Sequence, residues 1–240
     1  MVEKRIALVT GGNKGIGIAI VRKLAQAGVE VLIGSRDTAR GDEAVAALAK
    51  DGLVAKAVLL DLDAPQTIAA AADAILAEYG RLDILVNNAG IFDTADAPPS
   101  RASIDAARRM MEVNFIGALA VTQAMLPLLR AAPEGRIVNM SSTLGSLTAN
   151  GDPASAYYSQ QFIGYNASKA ALNMLTVQLH EELKGTNIKV NSVSPGLVKT
   201  DLTSGYGAMT PEEGARLPAE YALNATSSGG FVEPDGNSPW

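Results

Sequence analysis

Tyr165 and Lys169 stand four positions apart. On a helix that spacing puts a phenol and an ammonium on one face, one turn from each other. A cation beside a phenol stabilises phenolate and lowers its pKa, so the pair is expected to give and take a proton near neutrality. None of the other five tyrosines has a lysine at the same spacing. Upstream, Gly135-Arg136-Ile137-Val138-Asn139-Met140-Ser141-Ser142 reads as a strand ending in two hydroxyls. Near the N-terminus, Thr10-Gly11-Gly12-Asn13-Lys14-Gly15-Ile16-Gly17 joins a strand to a helix. Its glycines let the backbone bend sharply and approach a pyrophosphate, and the helix that follows turns free N–H groups and the positive end of its dipole toward that anion. Each feature alone has a plainer reading: a surface tyrosine beside a solvated lysine, a Ser-Ser turn or cap, a tight glycine turn. The spacing Gly11-x3-Gly15-x-Gly17 is neither the G-x-G-x-x-G of long dehydrogenases nor a nucleotide-triphosphate loop. Their conjunction points to a dinucleotide held beside a proton-transferring tyrosine.

Composition narrows the alternatives. The chain has 240 residues, 48% hydrophobic and 19% charged, with 20 basic and 25 acidic side chains and a net charge of −5. No block of Lys and Arg is present, so neither a nucleic-acid partner nor an anionic membrane surface is expected. The absence of cysteine excludes disulfides, thiolate metal sites and cysteine nucleophiles. One histidine, His180, argues against Ser-His-Asp chemistry and multi-histidine centres, and no metal is expected. His180 falls three turns beyond Lys169 and is read as structural. The carboxylate pairs Asp61/Asp63, Glu181/Glu182 and Glu212/Glu213 are read as solvated charges. No signal-peptide core precedes Gly11, and the uncharged stretch 113–129 carries Asn114, Thr122, Gln123 and Pro127, so no membrane span is expected. A soluble, cytoplasmic protein is the expectation, its chemistry drawn from hydroxyls, lysines, amides or a bound cofactor.

The elements that must position these groups alternate. Apolar β-branched runs at 6–10, 29–35, 54–60, 82–86, 135–140, 188–194 and 230–232 read as strands buried on both faces. Helical stretches at 16–26, 40–50, 66–78, 104–129 and 156–183 lie between them. Right-handed βαβ crossovers follow, giving an α/β, single-domain, doubly wound (Rossmann-type) parallel sheet of about seven strands with helices on both faces, spanning 1–240. Two stretches dotted with Gly, Ser, Thr and Pro, about 144–161 and 197–224, follow strands directly and are expected to face substrate. Where a carboxylate would grip a ribose 2′-hydroxyl, at the end of the second strand, the chain reads Gly34-Ser35-Arg36-Asp37. With Ser35 in that slot, Arg36 and Lys14 can pair with a 2′-phosphate, which favours NADP(H). A register two residues later would make Asp37 the ribose ligand and NAD the cofactor.

Residues 10–17, Asn87-Asn88-Ala89-Gly90, Asn114, Ser142, Tyr165-x3-Lys169 and Pro195-Gly196 together resemble the short-chain dehydrogenase/reductase family, in order and over nearly the whole chain. Residues 11–17, 136–142, 195–202 and 210–215 look most like its NADPH-dependent carbonyl reductases. The resemblance implies that Tyr165 protonates a carbonyl oxygen as hydride arrives, that Ser142 hydrogen-bonds the same oxygen, that Lys169 binds the nicotinamide ribose and lowers the tyrosine pKa, and that Asn114 holds a relay water. It also implies cofactor contacts at Gly11, Asn13, Lys14, Gly15, Ile16, Gly17, Ser35 and Arg36, with Asp61 and Leu62 flanking adenine. Asn88, Ala89 and Gly90 would line the cofactor's path, and Pro195, Val198 and Thr200 its nicotinamide end. The implied reaction is NADPH-dependent reduction of a small-molecule aldehyde or ketone, reversible from the alcohol. Alternatives are an NAD-linked alcohol or sugar dehydrogenase and a non-catalytic NADPH-sensing protein; the intact Asn114, Ser142, Tyr165 and Lys169 speak against the latter. A homo-oligomer, dimer or tetramer, is expected through 104–129 and 156–183, with a monomer as the alternative. Ser142 and Tyr165 lie 23 positions apart, longer than the family's common spacing, so an extra segment at 148–161 is expected over the pocket. The last residues, 232–240, are short and polar, and either pack on a partner or fray, a disordered tail being the plainer reading of Trp240.

Overall fold

The computed structural model describes residues 4–240; residues 1–3 of the domain expected over 1–240 lie outside the described residues. Eight strands form one sheet in the order β3-β2-β1-β4-β5-β6-β7-β8. The strands are β1 (Ile6–Thr10), β2 (Glu30–Ser35), β3 (Ala55–Leu59), β4 (Ile84–Asn87), β5 (Gly135–Met140), β6 (Ile188–Val193), β7 (Phe231–Glu233) and β8 (Gly236–Asn237). All neighbours pair in parallel except β7 and β8. The expected seven strands are present; the eighth is a short antiparallel return. Its Pro234-Asp235-Gly236 turn is a hairpin signal that was legible in the sequence. The tail is ordered: Ser238 N–H donates to the Phe231 carbonyl, and the Trp240 ring stacks on Phe231 at 5.4 Å.

Alternation along each strand feeds two cores. Ile6 and Leu8 of β1 join Leu85, Ile137 and Val190 on one face, while Ala7 and Val9 join Val31, Ile33, Ile84 and Val138 on the other. The first face is covered by α3 (Pro65–Tyr79), α5 (Ala118–Ala131) and α7 (Ile163–Glu182). The second is covered by α1 (Gly15–Gln26), α2 (Thr38–Lys50) and α9 (Arg216–Asn224). The strand order reverses between β1 and β4, and crevices beyond such a switch point receive ligands in open α/β sheets.

Two elements depart from expectation. The stretch 104–129 is one rod, but not a uniform one: α4 (Ile104–Met111) passes through a π-helical turn, Glu112–Gly117, into α5. By length and composition the rod Ile104–Ala131 would pass as a membrane span, yet it packs along its length against α3 and α7. The helix expected from 156 begins only at Ile163. Residues 152–162 are turns following the short α6 (Leu147–Gly151).

Candidate active site

At the carboxyl ends of β1 and β4 the chain folds back on itself closely. Gly11 and Gly15 adopt φ of +61° and +55°, which side chains disfavour. A Cβ on Gly17 would sit 2.3 Å from the Gly11 carbonyl oxygen, so the turn closes only with glycine there. The Asn88 amide donates to the carbonyls of Thr10 (2.9 Å) and Gly11 (3.2 Å), and the Thr10 hydroxyl accepts from Asn88 and Ala89 N–H, both at 3.0 Å. Asn88 therefore braces the glycine turn, and Ala89 packs within contact of Gly11. Lys14, the N-cap of α1, makes no side-chain capping bond, and no acidic residue occupies the first turn. The helix's first N–H groups are thus left for an external acceptor. This donor set fits the pyrophosphate of a dinucleotide.

Thr200 stands over the same turn, its methyl 3.5 Å from where a Gly15 Cβ would be. Lys14 Nζ lies 2.7 Å from Asp201 Oδ2 in an exposed ion pair, and its ammonium holds that carboxyl below its ordinary range. Ser35 is buried and donates to the Asp37 carbonyl at 2.8 Å. Asp37 is committed elsewhere: its carboxylate caps α2 through the Arg40 N–H at 3.2 Å. Arg36 is exposed at the bend after β2. Asp61 and Leu62 follow β3, half-buried, and Leu62 packs where a Gly117 Cβ would stand. Pro195 and Gly196 follow β6, but the Val198 side chain turns inward, buried against Gly214. The stretch 197–224 is also not loop throughout. Its second half forms α8 (Pro211–Gly214) and α9, which pack on α1; Ala215 between them and Ala222 of α9 join the core. The Thr210-Pro211-Glu212-Glu213 capping box at its start was a readable helix signal.

The groups expected to transfer a proton gather at the carboxyl ends of β4 and β5. Lys169 is buried on α7, and its ammonium donates to the Met140 carbonyl at 2.8 Å and lies 5.6 Å from the Tyr165 ring centre. A Cβ on Gly90 would meet Asn114 Oδ1 at 3.2 Å and Lys169 Nζ at 3.5 Å, so glycine keeps that space open between them. Asn114 projects from the π-helical turn, a rare geometry that recurs at functional sites. Its Oδ1 accepts from Ile91 N–H (2.8 Å), and its Nδ2 donates to the Ile91 carbonyl and to Ser168 Oγ, both at 3.0 Å. Ser142 stands beside the Tyr165 phenol, where its hydroxyl favours the phenolate form, and its Oγ accepts from Leu144 N–H at 3.2 Å. Ser141 points the other way, donating to Asn173 of α7 at 2.6 Å. Beneath them Asn87 donates to Asn139, Asn139 to Thr176, and Thr176 meets Ser192, all at 2.8 Å, a buried polar line that ties β4, β5, β6 and α7 together.

One expectation is corrected here. Lys169 does not depress the Tyr165 pKa in this structure. Burial pushes the phenol up to about 12, against a smaller opposing effect of the Ser142 hydroxyl. Burial likewise pulls Lys169 down to about 8. The ammonium spends its described hydrogen bond on Met140 rather than on the phenol oxygen, so desolvation dominates at both groups.

Sequence reasoning missed several residues. Ser168 links Asn114 to the Tyr165 carbonyl, donating to the latter at 2.7 Å. Phe92 packs edge-on against the Tyr165 ring at 5.5 Å and against Phe162 at 5.2 Å. Asp96 accepts from N–H groups at the start of α7. Only tertiary contact reveals them, since nothing in their local sequence marks them. Phe162, directly after the extra segment, joins this aromatic cluster, while α6 lines a cavity of about 210 Å³ on another face of α7 with Asn166, Ala167 and Ala170. His180, far along α7, meets Ser228 Oγ at 3.0 Å.

Comparison with known proteins places this architecture. The family model for short chain dehydrogenase matches residues 5–210. Carbonyl reductase (NADPH) 1 of Rattus norvegicus is 34% identical, covering 99% of this chain and 99% of its own. Among solved structures, the NADPH-bound carbonyl reductase from chicken fatty liver superposes with a TM-score of 0.85 at 28% identity, covering all of both chains. Salutaridine reductase from Papaver somniferum gives 0.81 at 31% identity, over 95% of this chain and 99% of that one. With its glycine turn, its β1/β4 crevice and its Ser142, Tyr165 and Lys169 cluster, the chain belongs to the short-chain dehydrogenase family.

Proposed function

We propose that the protein reduces an aldehyde or ketone to the alcohol, reversibly, with NADPH as hydride donor and Tyr165 as the general acid. The observation that carries this reading is the joint burial of Tyr165 and Lys169, with Ser142 beside the phenol, next to the space bounded by Gly90, Asn114 and Lys169. A carbonyl oxygen placed at those two hydroxyls receives a hydrogen bond from each, which stabilises the charge it gains. Bound NADPH supplies hydride to the carbonyl carbon. Tyr165, kept protonated by burial through the neutral range, gives its proton to the oxygen and is left as phenolate. Lys169, pulled down to about 8, faces that phenolate with a proton it can release near neutrality. Asn114 Oδ1 stands beside Lys169 to hold a water leading to solvent. The remaining ammonium donors of Lys169 suit ribose hydroxyls.

The names of the full-length relatives, Ser35 in place of a carboxylate and exposed Arg36 support NADP(H) over NAD, and the commitment of Asp37 to the α2 cap supports the same choice. Exposed Ile104, Ile116, Ile163 and Met174 along the rod and α7 support a homo-oligomer through those helices, which light scattering tests. The segment 144–161 borders the tyrosine and shapes substrate choice. Incubation with NADPH and a panel of ketones and aldehydes is expected to bleach the near-ultraviolet absorbance of the cofactor. Bleaching that survives Tyr165→Phe unchanged would refute the mechanism, and cofactor binding without turnover on any carbonyl would point to a sensing role.

A further inference from the structure

Helix α7 carries both Tyr165 and Lys169, yet it starts without a cap of its own. Phe162 at the N-cap position makes no side-chain capping bond. The first N–H groups of a helix have no partner within it and must find one elsewhere. Here each of the first three is taken by the loop that leads away from the Asn88-Ala89-Gly90 strip. Ile163 N–H donates to the Ala97 carbonyl at 3.3 Å, Gly164 N–H to Asp96 Oδ1 at 3.0 Å, and Tyr165 N–H to Asp96 Oδ2 at 2.8 Å. Asp96 is only 7% exposed, and its Oδ1 also accepts from Ala97 N–H at 2.9 Å. The loop is itself held: Asp96 N–H donates to the Asp93 carbonyl, Ser103 N–H to the Ala95 carbonyl, and Asp93 pairs with Arg109 of α4. Gly164 lets α4 approach this turn, since a Cβ there would meet Ala107 Cα at 2.9 Å. The same loop supplies Phe92 against the tyrosine ring and Ile91 against Asn114.

We propose that Asp96 is a positioning residue for Tyr165: its buried carboxylate, holding the backbone N–H of Tyr165 and of Gly164, fixes the first turn of α7 so that the phenol meets Ser142. The inference rests on the reading of Tyr165 as the acid. A carboxylate at a helix N-terminus is favoured by the dipole and accepts charge-assisted bonds, so the anchor is stiff. The phenol oxygen lies at the far end of a long side chain, and a small tilt of the turn displaces it further than the backbone moves.

Asp96→Asn puts an amide nitrogen against one backbone N–H, donor facing donor. In the otherwise unaltered protein kcat is expected to fall about 10- to 100-fold, the cost of a small misplacement of a reacting group. In a Tyr165→Phe background the same change is expected to leave the residual rate alone. Equal fold-losses in both backgrounds overturn the proposal. Amide hydrogen exchange at residues 164 and 165 reads the anchor without turnover and is expected to quicken in Asp96→Asn; unchanged protection also overturns it. Asp96→Ser retains one acceptor and is expected to recover part of the rate. Failure of both variants to fold makes Asp96 a residue of stability alone and overturns it too. An unaltered protein that reduces no carbonyl, with exchange at 164 and 165 still quickened by Asp96→Asn, sinks the reading of Tyr165 as acid and leaves the anchor standing.

Discussion

Around the glycine turn, recognition falls to main-chain atoms held by residues that have no side chain; around Tyr165 it falls to side chains that burial has largely stripped of water. At the first, Gly11, Gly15 and Gly17 allow a backbone path that a Cβ would block, and Asn88 holds it by bonding carbonyls. At the second, Tyr165 and Lys169 are buried together and both ionise away from their ordinary values for lack of solvent. The two regions should therefore fail differently. The turn is sensitive to added atoms and signals through cofactor affinity, while the tyrosine helix is sensitive to removed ones and signals through turnover and pH.

The largest break is at the proposed acid. Tyr165→Phe is expected to lower kcat by about 10²–10⁴-fold, with NADPH affinity by fluorescence titration kept. Next, Arg36→Ala removes the charge-assisted contact proposed for the 2′-phosphate and is expected to lower kcat/KM for NADPH by about 10- to 100-fold while leaving NADH unaffected. A clear preference for NADH in the unaltered protein would overturn the choice of cofactor. Gly17→Ala forces a Cβ toward the Gly11 carbonyl and is expected to cost about 1–3 kcal/mol in thermal unfolding and to weaken NADPH binding. Gly28→Ala has a similarly positive φ of +80° but open space around it, so only the backbone strain of about 1 kcal/mol should appear, with no effect on the cofactor.

A pH measurement sharpens the contrast at the buried end. Lys169 falls from 10.5 to about 8 on folding, so between those values the unfolded chain binds more protons and stability rises with pH. The gain is on the order of 3 kcal/mol across the window. Tyr165, raised from 10 to about 12, acts with the opposite sign above pH 10. Denaturant titrations of Lys169→Met are expected to lose the rise between pH 8 and 10. The smallest effect belongs to the exposed Lys14–Asp201 pair: Asp201→Asn is expected to leave the melting temperature unchanged within error.

Most of the sheet was readable because buried parallel strands are short apolar runs, and every expected strand lies within two residues of its observed limits. That Tyr165, Lys169 and Ser142 would lie together was readable because four-residue spacing and a strand end are local facts. What was hidden depends on distance in sequence. The start of α7 could not be placed because its cap is Asp96, 69 positions before Tyr165. The inward turn of Val198 depends on Gly214, and the raised phenol depends on burial that no spacing reports. The π-helical turn has no sequence mark at all, since Glu112, Val113, Asn114, Phe115, Ile116 and Gly117 would sit as well in an ordinary helix.

That widened turn has an evolutionary arithmetic of its own. Such a turn is a single surplus residue lodged in an otherwise regular coil, tolerated at the expense of well-aligned hydrogen bonds. Excising one residue between 112 and 117 would restore the common winding and leave both flanking segments in phase with their neighbours. The shortened chain should withstand heat better and turn over more slowly, because Asn114 would swing away from Lys169. Robustness and competence would then part company over the presence of one amino acid.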